Sequence, residues 1–204
     1  WLESSGYAKL RQLDAELITD MARVGPDYLP GHAHADTLSF ELSLFDSRVF
    51  VNSGTSLYGL SDERLRQRGT SAHNTVLVEG QNSSDVWSGF RVGRRARCFD
   101  QRVERTEEAL IAEAKHDGYR HLPGRPIHHR RWELSRRSLR VIDQLSAPNL
   151  RATARFHLHP QIDIEQTSPA QGRCTLPDGR IVKWDAGTAP IILEPTSWHP
   201  EFGK

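Results

Sequence analysis

The chain has 204 residues, of which 37% are hydrophobic and 26% charged, and its 27 basic and 26 acidic side chains leave a formal net charge of +1. Such a length suits one large all-β domain or two small ones; the near-balance of charge excludes a global field that would recruit nucleic acid, and no apolar run approaches the roughly eighteen residues of a membrane span. Cys98 and Cys174 are the two cysteines, too few for a disulfide framework, so the redox compartment stays open. The opening Trp1-Leu2-Glu3, without an initiator methionine or signal peptide, leads us to expect a piece of a longer polypeptide.

Helical periodicity is confined to residues 8–18, within 7–21, and strands compete for that stretch as well. From 36 to 44 the even positions Leu38, Phe40, Leu42 and Leu44 are apolar while Ser39, Glu41 and Ser43 are polar, the pattern of a half-buried antiparallel strand. A turn at 45–48 leads to a second strand at 49–51, which the turn residues Asn52-Ser53-Gly54 end. Further strands are expected at 75–78, 97–103, 109–114, 131–134, 138–142, 152–158 and 162–165, and Pro177-Asp178-Gly179 joins 173–176 to 180–184 as a hairpin. Many short strands without a repeat or linker imply an all-β class. The expected architecture is one antiparallel, supersandwich-like β-sandwich, or a related roll, over residues 1–204.

His32, His34 and Asp36 occupy alternate positions just ahead of the first of these strands. If the extended register runs back from Leu38, all three point to the core side at the mouth of the strand, and Pro30 and Gly31 are where it would break. Neutral imidazoles with an oxygen ligand suit zinc or another borderline divalent ion, and His73, opening the strand at 75–78, is the candidate for a further ligand. Against this stands the ordinary role of a histidine as a hydrogen-bonded structural residue, and spacing does not choose between the two. A cupin also uses His-x-His near a strand, but its glutamate follows within a few residues, whereas Glu41 lies 41 − 34 = 7 residues on, with the opposite strand parity.

The ordered series His32-Ala33-His34-Ala35-Asp36-Thr37-Leu38-Ser39-Phe40-Glu41-Leu42, Val51-Asn52-Ser53-Gly54-Thr55 with Tyr58, Arg68, Ala72-His73-Asn74-Thr75-Val76 and Trp87 to Phe90 resembles the heparinase II/III family of polysaccharide lyases. His116-Asp117-Gly118-Tyr119 and Trp198-His199-Pro200-Glu201-Phe202-Gly203 are similar to the same family. The resemblance covers the family's C-terminal β-sandwich domain, and it implies an N-terminal α/α toroid that is absent from this chain.

The resemblance implies that a uronic acid polymer is cleaved by β-elimination, with His32 reaching into the cleft to help hold the carboxylate and stabilise the developing negative charge. It further implies that His34 and His73 are metal ligands, with Asn52 at the remaining ligand position. Where the family pattern is Val-Asp-x-Gly-Thr this chain has Asn52, a neutral amide that suits zinc poorly and calcium better, and that is also a good turn former. Asp36 is then an acceptor orienting a histidine ring, or a cap on the strand. Tyr58, Tyr119 and His116 are candidates for the cleft, against the commoner role of a partly buried ring. Arg68, with Arg64 and Arg66 before it, and Trp87, followed by the basic run 91–97, offer forks and an aromatic face to an acidic sugar. His128-His129-Arg130-Arg131 is basic as well, but nothing in the sequence ties it to the cleft. The leading expectation is therefore the sandwich half of a lyase, with acidic polysaccharide as substrate, a divalent metal, no nucleic acid partner, no membrane span, and a periplasmic location. The alternative is a non-catalytic acidic-glycan-binding domain of a bacterial polysaccharide-assembly system, which Asn52 favours.

Overall fold

Alternating apolar and polar residues build two antiparallel sheets that face each other across one core. The computed structural model describes residues 1–204. Its first sheet is the meander β1 (Tyr7–Gln12), β2 (Ala15–Asp20), β3 (Phe40–Leu44) and β4 (Ser47–Phe50). The chain then passes through α1 (Asp62–Arg68), β5 (Val76–Val78) and the short hairpin of β6 (Val86–Trp87) and β7 (Arg91–Val92). A second four-stranded meander follows: β8 (Cys98–Arg105), β9 (Ala109–His116), β10 (His128–Ser135) and β11 (Leu139–Leu145). Finally β12 (Ala152–Ala154) pairs with β5, and β13 (Asp163–Ser168), β14 (Gln171–Thr175) and β15 (Ile181–Asp185) form a three-stranded sheet. The expected all-β class and antiparallel sandwich hold, and both cysteines are free thiols. No helix is long and apolar enough to cross a membrane.

The ambiguous stretch 8–18 is a β-hairpin, not a helix. Ala8, Leu10, Leu17 and Thr19 are buried while Lys9, Arg11 and Ile18 are exposed, so the period is two, and Leu13 takes the left-handed conformation at the turn with φ 51°. The short helix α1 was not anticipated, although its signals are present. Ser61 Oγ accepts from the Arg64 N–H at 3.1 Å, Asp62 and Glu63 sit in the first turn, and Arg66 and Arg68 in the last.

Leu10, Leu17, Met21, Phe40 and Leu42 from the first sheet meet Ala112, Ala114, Trp132 and Leu134 from the second, with Ile162 and Leu176 closing one end. Trp132 is fully buried, and Phe40 packs edge-on to it with ring centres 6.3 Å apart. The inward face of β10 changes character along its length. Leu134 and Trp132 are apolar, whereas Arg130 and His128, also inward and fully buried, are polar. Arg130 is neutralised by Asp143 of β11 through Nε–Oδ1 and Nη2–Oδ2 bonds of 2.7 and 2.8 Å. Its Nη1 reaches across the sandwich to the carbonyls of Leu38 (2.9 Å) and Asn74 (2.6 Å). This guanidinium joins the two halves of the fold, and removing it would leave three acceptors without their donor. Arg130→Ala is expected to lower stability by about 3–5 kcal/mol, read as a shift of the urea unfolding midpoint at unchanged slope.

Candidate functional site

The segment from Ala33 to Leu38 belongs to no strand; four of its carbonyls are held one by one by side chains. Arg68 donates from Nε and Nη2 to the Ala33 carbonyl at 3.1 and 3.0 Å. The Thr70 hydroxyl donates to Ala35 (2.7 Å), the Thr75 hydroxyl to Thr37 (2.8 Å) and Arg130 to Leu38. Asn74 performs a similar service nearby, donating to the carbonyls of Phe40 and Val51 while its own oxygen accepts from the His157 N–H. Unpaired buried carbonyls are costly, so this set of donors is what permits irregular backbone at such depth.

The extended register expected to run back through His32 stops at Phe40. Leu38 is left-handed with φ 60°, and the Ser39 N–H closes a turn onto the Asp36 carbonyl at 2.9 Å. A buried leucine in that region is strained, and the clamp on both sides of it is what holds it there. His34 and Asp36 nevertheless turn inward, where they meet His73. One ligand atom from each of the three lies within 4.8 Å of the others. The His34 and His73 rings are 5.2 Å apart, and both nitrogens of the fully buried His73 lack any hydrogen-bond partner. Burial holds both imidazoles down to about 3, helped at His34 by the neighbouring His73 and at His73 by His157, so both are neutral at physiological pH. The Asp36 carboxyl is raised by burial against the opposing pull of His34. Two neutral imidazoles, one with orphaned nitrogens, and a carboxyl form a donor set that fits a borderline divalent ion.

The carboxyl in this cluster is Asp36. At position 52, the amide oxygen of Asn52 accepts from the Gly54 N–H at 3.0 Å, the local turn bond of an Asx motif. Outside the cluster lies His32, exposed, its ring edge-on to Tyr58 at 5.2 Å and to Phe90 at 5.7 Å. Tyr58 also packs on Phe202 at 4.7 Å. Next to this aromatic group a cleft of ≈ 350 Å³ opens between Gly59-Leu60 and the tip of the β6–β7 hairpin, Ser88 to Arg91. Trp87 stands on that hairpin, 55% exposed, with the Arg91 guanidinium over its ring at 6.0 Å.

Three residues expected in the cleft lie in the interior. Arg68 is fully buried and, besides Ala33, binds the carbonyls of Gly89 (3.1 Å) and Ser88 (3.3 Å), so it ties the histidine segment to the hairpin tip instead of facing a ligand. Tyr119 is fully buried and donates its hydroxyl to the Val76 carbonyl. His116 starts a buried chain of donors. The Gly118 N–H donates to its Nδ1 (3.1 Å), its Nε2 therefore donates to His128 Nδ1 (3.0 Å), and His128 Nε2 donates to Asp143 (2.7 Å). Both rings are neutral in this arrangement, in keeping with the downward push of burial on each. The inward parity of His128 and Arg130 with Trp132 and Leu134 is the signal that places them in the core, and the basic run 128–131 conceals it.

The family model described as "Heparinase II/III-like, C-terminal" matches residues 1–204. The chain therefore belongs to the heparinase II/III-like C-terminal family. Among solved structures it is similar to the heparan sulfate lyase HepC of Pedobacter heparinus, with TM-score 0.67 and 16% identity over 88% of this chain and 27% of that one. A heparinase III gene product matches with TM-score 0.63 and 16% identity over 83% of this chain and 25% of that one. Another heparinase III structure gives TM-score 0.60 and 16% identity, covering 88% of this chain and 32% of that one. At these identities the likeness is one of fold, and the chain spans about a quarter to a third of the length of those proteins. No curated protein matches in sequence.

The neutral histidines make stability depend on pH. The unfolded chain protonates each near pH 6.5, whereas folded His34 and His73 refuse the proton until about pH 3, so stability falls as pH drops through that window. His116 and His128 act in the same sense. Asp20, pushed up to about 7 by burial, and the raised Asp36 act in the opposite sense, because there the folded state keeps a proton that the unfolded state has lost. With His157 and His159, which burial also pushes down, six histidines outnumber two carboxyls, so the urea midpoint is expected to be lower at about pH 5 than at about pH 7, and a midpoint that rises on acidification would contradict the assignment.

Proposed function

We propose that this domain forms one wall of the cleft of a polysaccharide lyase that cleaves a uronic-acid-containing glycan by β-elimination. The observation that carries the reading is the division of labour within one short segment. His32 is exposed against Tyr58 and Phe90 at the edge of a cleft, while His34 and Asp36 turn in to join His73. In such a reaction a base takes the proton α to the carboxylate, that electron pair forms the new carbon–carbon double bond, and the glycosidic oxygen leaves and is protonated. The negative charge that builds on the carboxylate is the difficult part, and a nitrogen donor fixed beside it lowers the barrier. His32 would be the donor there. Tyr58 and Trp87 offer faces to sugar rings, and Arg68 holds the segment that carries His32 in register with the tip of the hairpin that carries Trp87.

His34, Asp36 and His73 would hold a divalent ion, zinc by the character of the donors. When bound, the ion would supply fixed positive charge beneath the cleft. The general base and the facing wall would come from an α/α toroid preceding this domain, and a periplasmic location follows from where such polymers lie. With full-length protein and a panel of uronic-acid polysaccharides, followed by the ultraviolet absorbance of the unsaturated product, His32→Ala is expected to cost at least ~10²-fold in kcat/KM. Undiminished activity in that variant would sink the proposed role of His32, and absence of product with every polymer from folded protein would sink the lyase reading.

A second reading, a domain that binds acidic glycans without cleaving them, is favoured by Asn52, which stands where the family pattern has aspartate and uses its oxygen on Gly54. Asn52→Asp separates the two. If the cluster is complete with Asp36, zinc affinity measured by calorimetry changes less than about tenfold. A large gain in affinity, with no elimination product before or after, favours the binding reading.

A further inference from the structure

Arg64, Arg68 and Arg130 are all buried to 1% exposure or less. Arg130 has its counter-charge in Asp143. Arg64 and Arg68 have none: no carboxylate lies in contact with either, and the two guanidinium groups repel each other. Arg68 at least fills its donors with three carbonyls, those of Ala33, Ser88 and Gly89. Arg64 does not. Its Nε reaches the Gly89 carbonyl at 3.4 Å, its Nη1 lies 3.3 Å from His34 Nε2, and its Nη2 is buried with no partner. A buried guanidinium without an anion is costly, and it does not escape the cost by shedding its proton.

The Arg64 guanidinium adjoins the cleft through its bond to Gly89. Gly89, which Arg64 binds, lines the cleft together with Phe90, and Phe90 packs at 5.5 Å on the Tyr58 ring that covers the guanidinium at 5.1 Å. Tyr58 is 46% exposed and is followed by Gly59, which has φ 98° and open space around it. We propose that Arg64 is the anion anchor of this cleft: its Nη2 donates to the carboxylate or sulfate of an acidic sugar seated between Gly59-Leu60 and Ser88 to Arg91, with Tyr58 moving off the guanidinium to admit it. The proposal rests on the reading that this domain serves an acidic glycan, and it names the residue that completes its charge there.

The test is calorimetric titration of this chain with a heparan sulfate hexasaccharide and with its carboxyl-reduced and desulfated forms. Arg64→Gln is expected to weaken binding of the native oligosaccharide at least about tenfold, with the melting temperature recorded alongside, and Arg64→Lys to recover part of the loss. Wild-type affinity that falls with the carboxyl-reduced form identifies the carboxylate as the anchored group, and a fall with the desulfated form identifies the sulfate. Equal affinity of Arg64→Gln and wild type overturns the proposal, as does indifference of the wild type to both neutralised forms or no binding at all. Should Arg64→Gln fail to fold, 15N-arginine spectra of the wild-type chain decide: a shift of the Arg64 Nε resonance on adding the hexasaccharide supports the anchor, and an unmoved resonance overturns it. The elimination assay on full-length protein is a separate readout. Missing product with anion binding intact removes the lyase chemistry and leaves the anchor, whereas product from a variant lacking Arg64 at wild-type KM removes the anchor alone.

Discussion

The candidate site depends on the carbonyls of Ala33, Ala35, Thr37 and Leu38 being paired by side chains in place of a neighbouring strand. A strand would have met those acceptors through a ladder, but a ladder fixes side chains to the two faces of a sheet. Here His32 must face solvent while His34 and Asp36 face His73, and Leu38 must turn the chain through a left-handed conformation. Irregular backbone can do this, and it can be buried only when each acceptor has a donor. Arg68, Thr70, Thr75 and Arg130 are those donors, which gives a physical reason for the Ala-His-Asn-Thr stretch to sit where it does. His73 is carried into the cluster by the same short segment that clamps its partners.

Buried arginine is used in two ways in this domain. Arg130 is paired with Asp143, and the pair is buttressed by the His116–His128 chain, so it is a joint between the sheets with its charge cancelled. Arg64 and Arg68 lie next to the cleft with their charge uncancelled, beside two neutral imidazoles. Fixed positive charge is therefore held next to the cleft by buried side chains bonded to Gly89 of its lining, in addition to the exposed Arg91 that lines it. The net charge of +1 gives no hint of this, because the field is made by burial and not by number.

The sandwich could be read from the sequence because its cause is local. Alternation at Phe40 to Leu44, at Ala109 to Ala114 and in the 173–184 hairpin follows from having one wet and one dry face, and that period is visible without knowing the partner strand. The family resemblance likewise rests on words that stand contiguous in the chain. Where two periods compete, as over residues 8–18, the exposed Lys9 and Arg11 settle the matter only once the sheet is present to bury Ala8 and Leu10.

What the sequence by itself determined is the all-β class, the approximate strands and the set of histidines worth examining, since these are properties of neighbours along the chain. Only the tertiary structure decided that the carboxyl beside His34 and His73 is Asp36, and that Asn52 closes a turn onto Gly54. Likewise, only the fold puts Arg68, His116 and Tyr119 inside and Arg64 next to the cleft without a counter-ion. The physical reason is that charge compensation and burial are set by groups distant in sequence: Arg130 finds Leu38 from 92 residues away, and Arg64 finds His34 from 30.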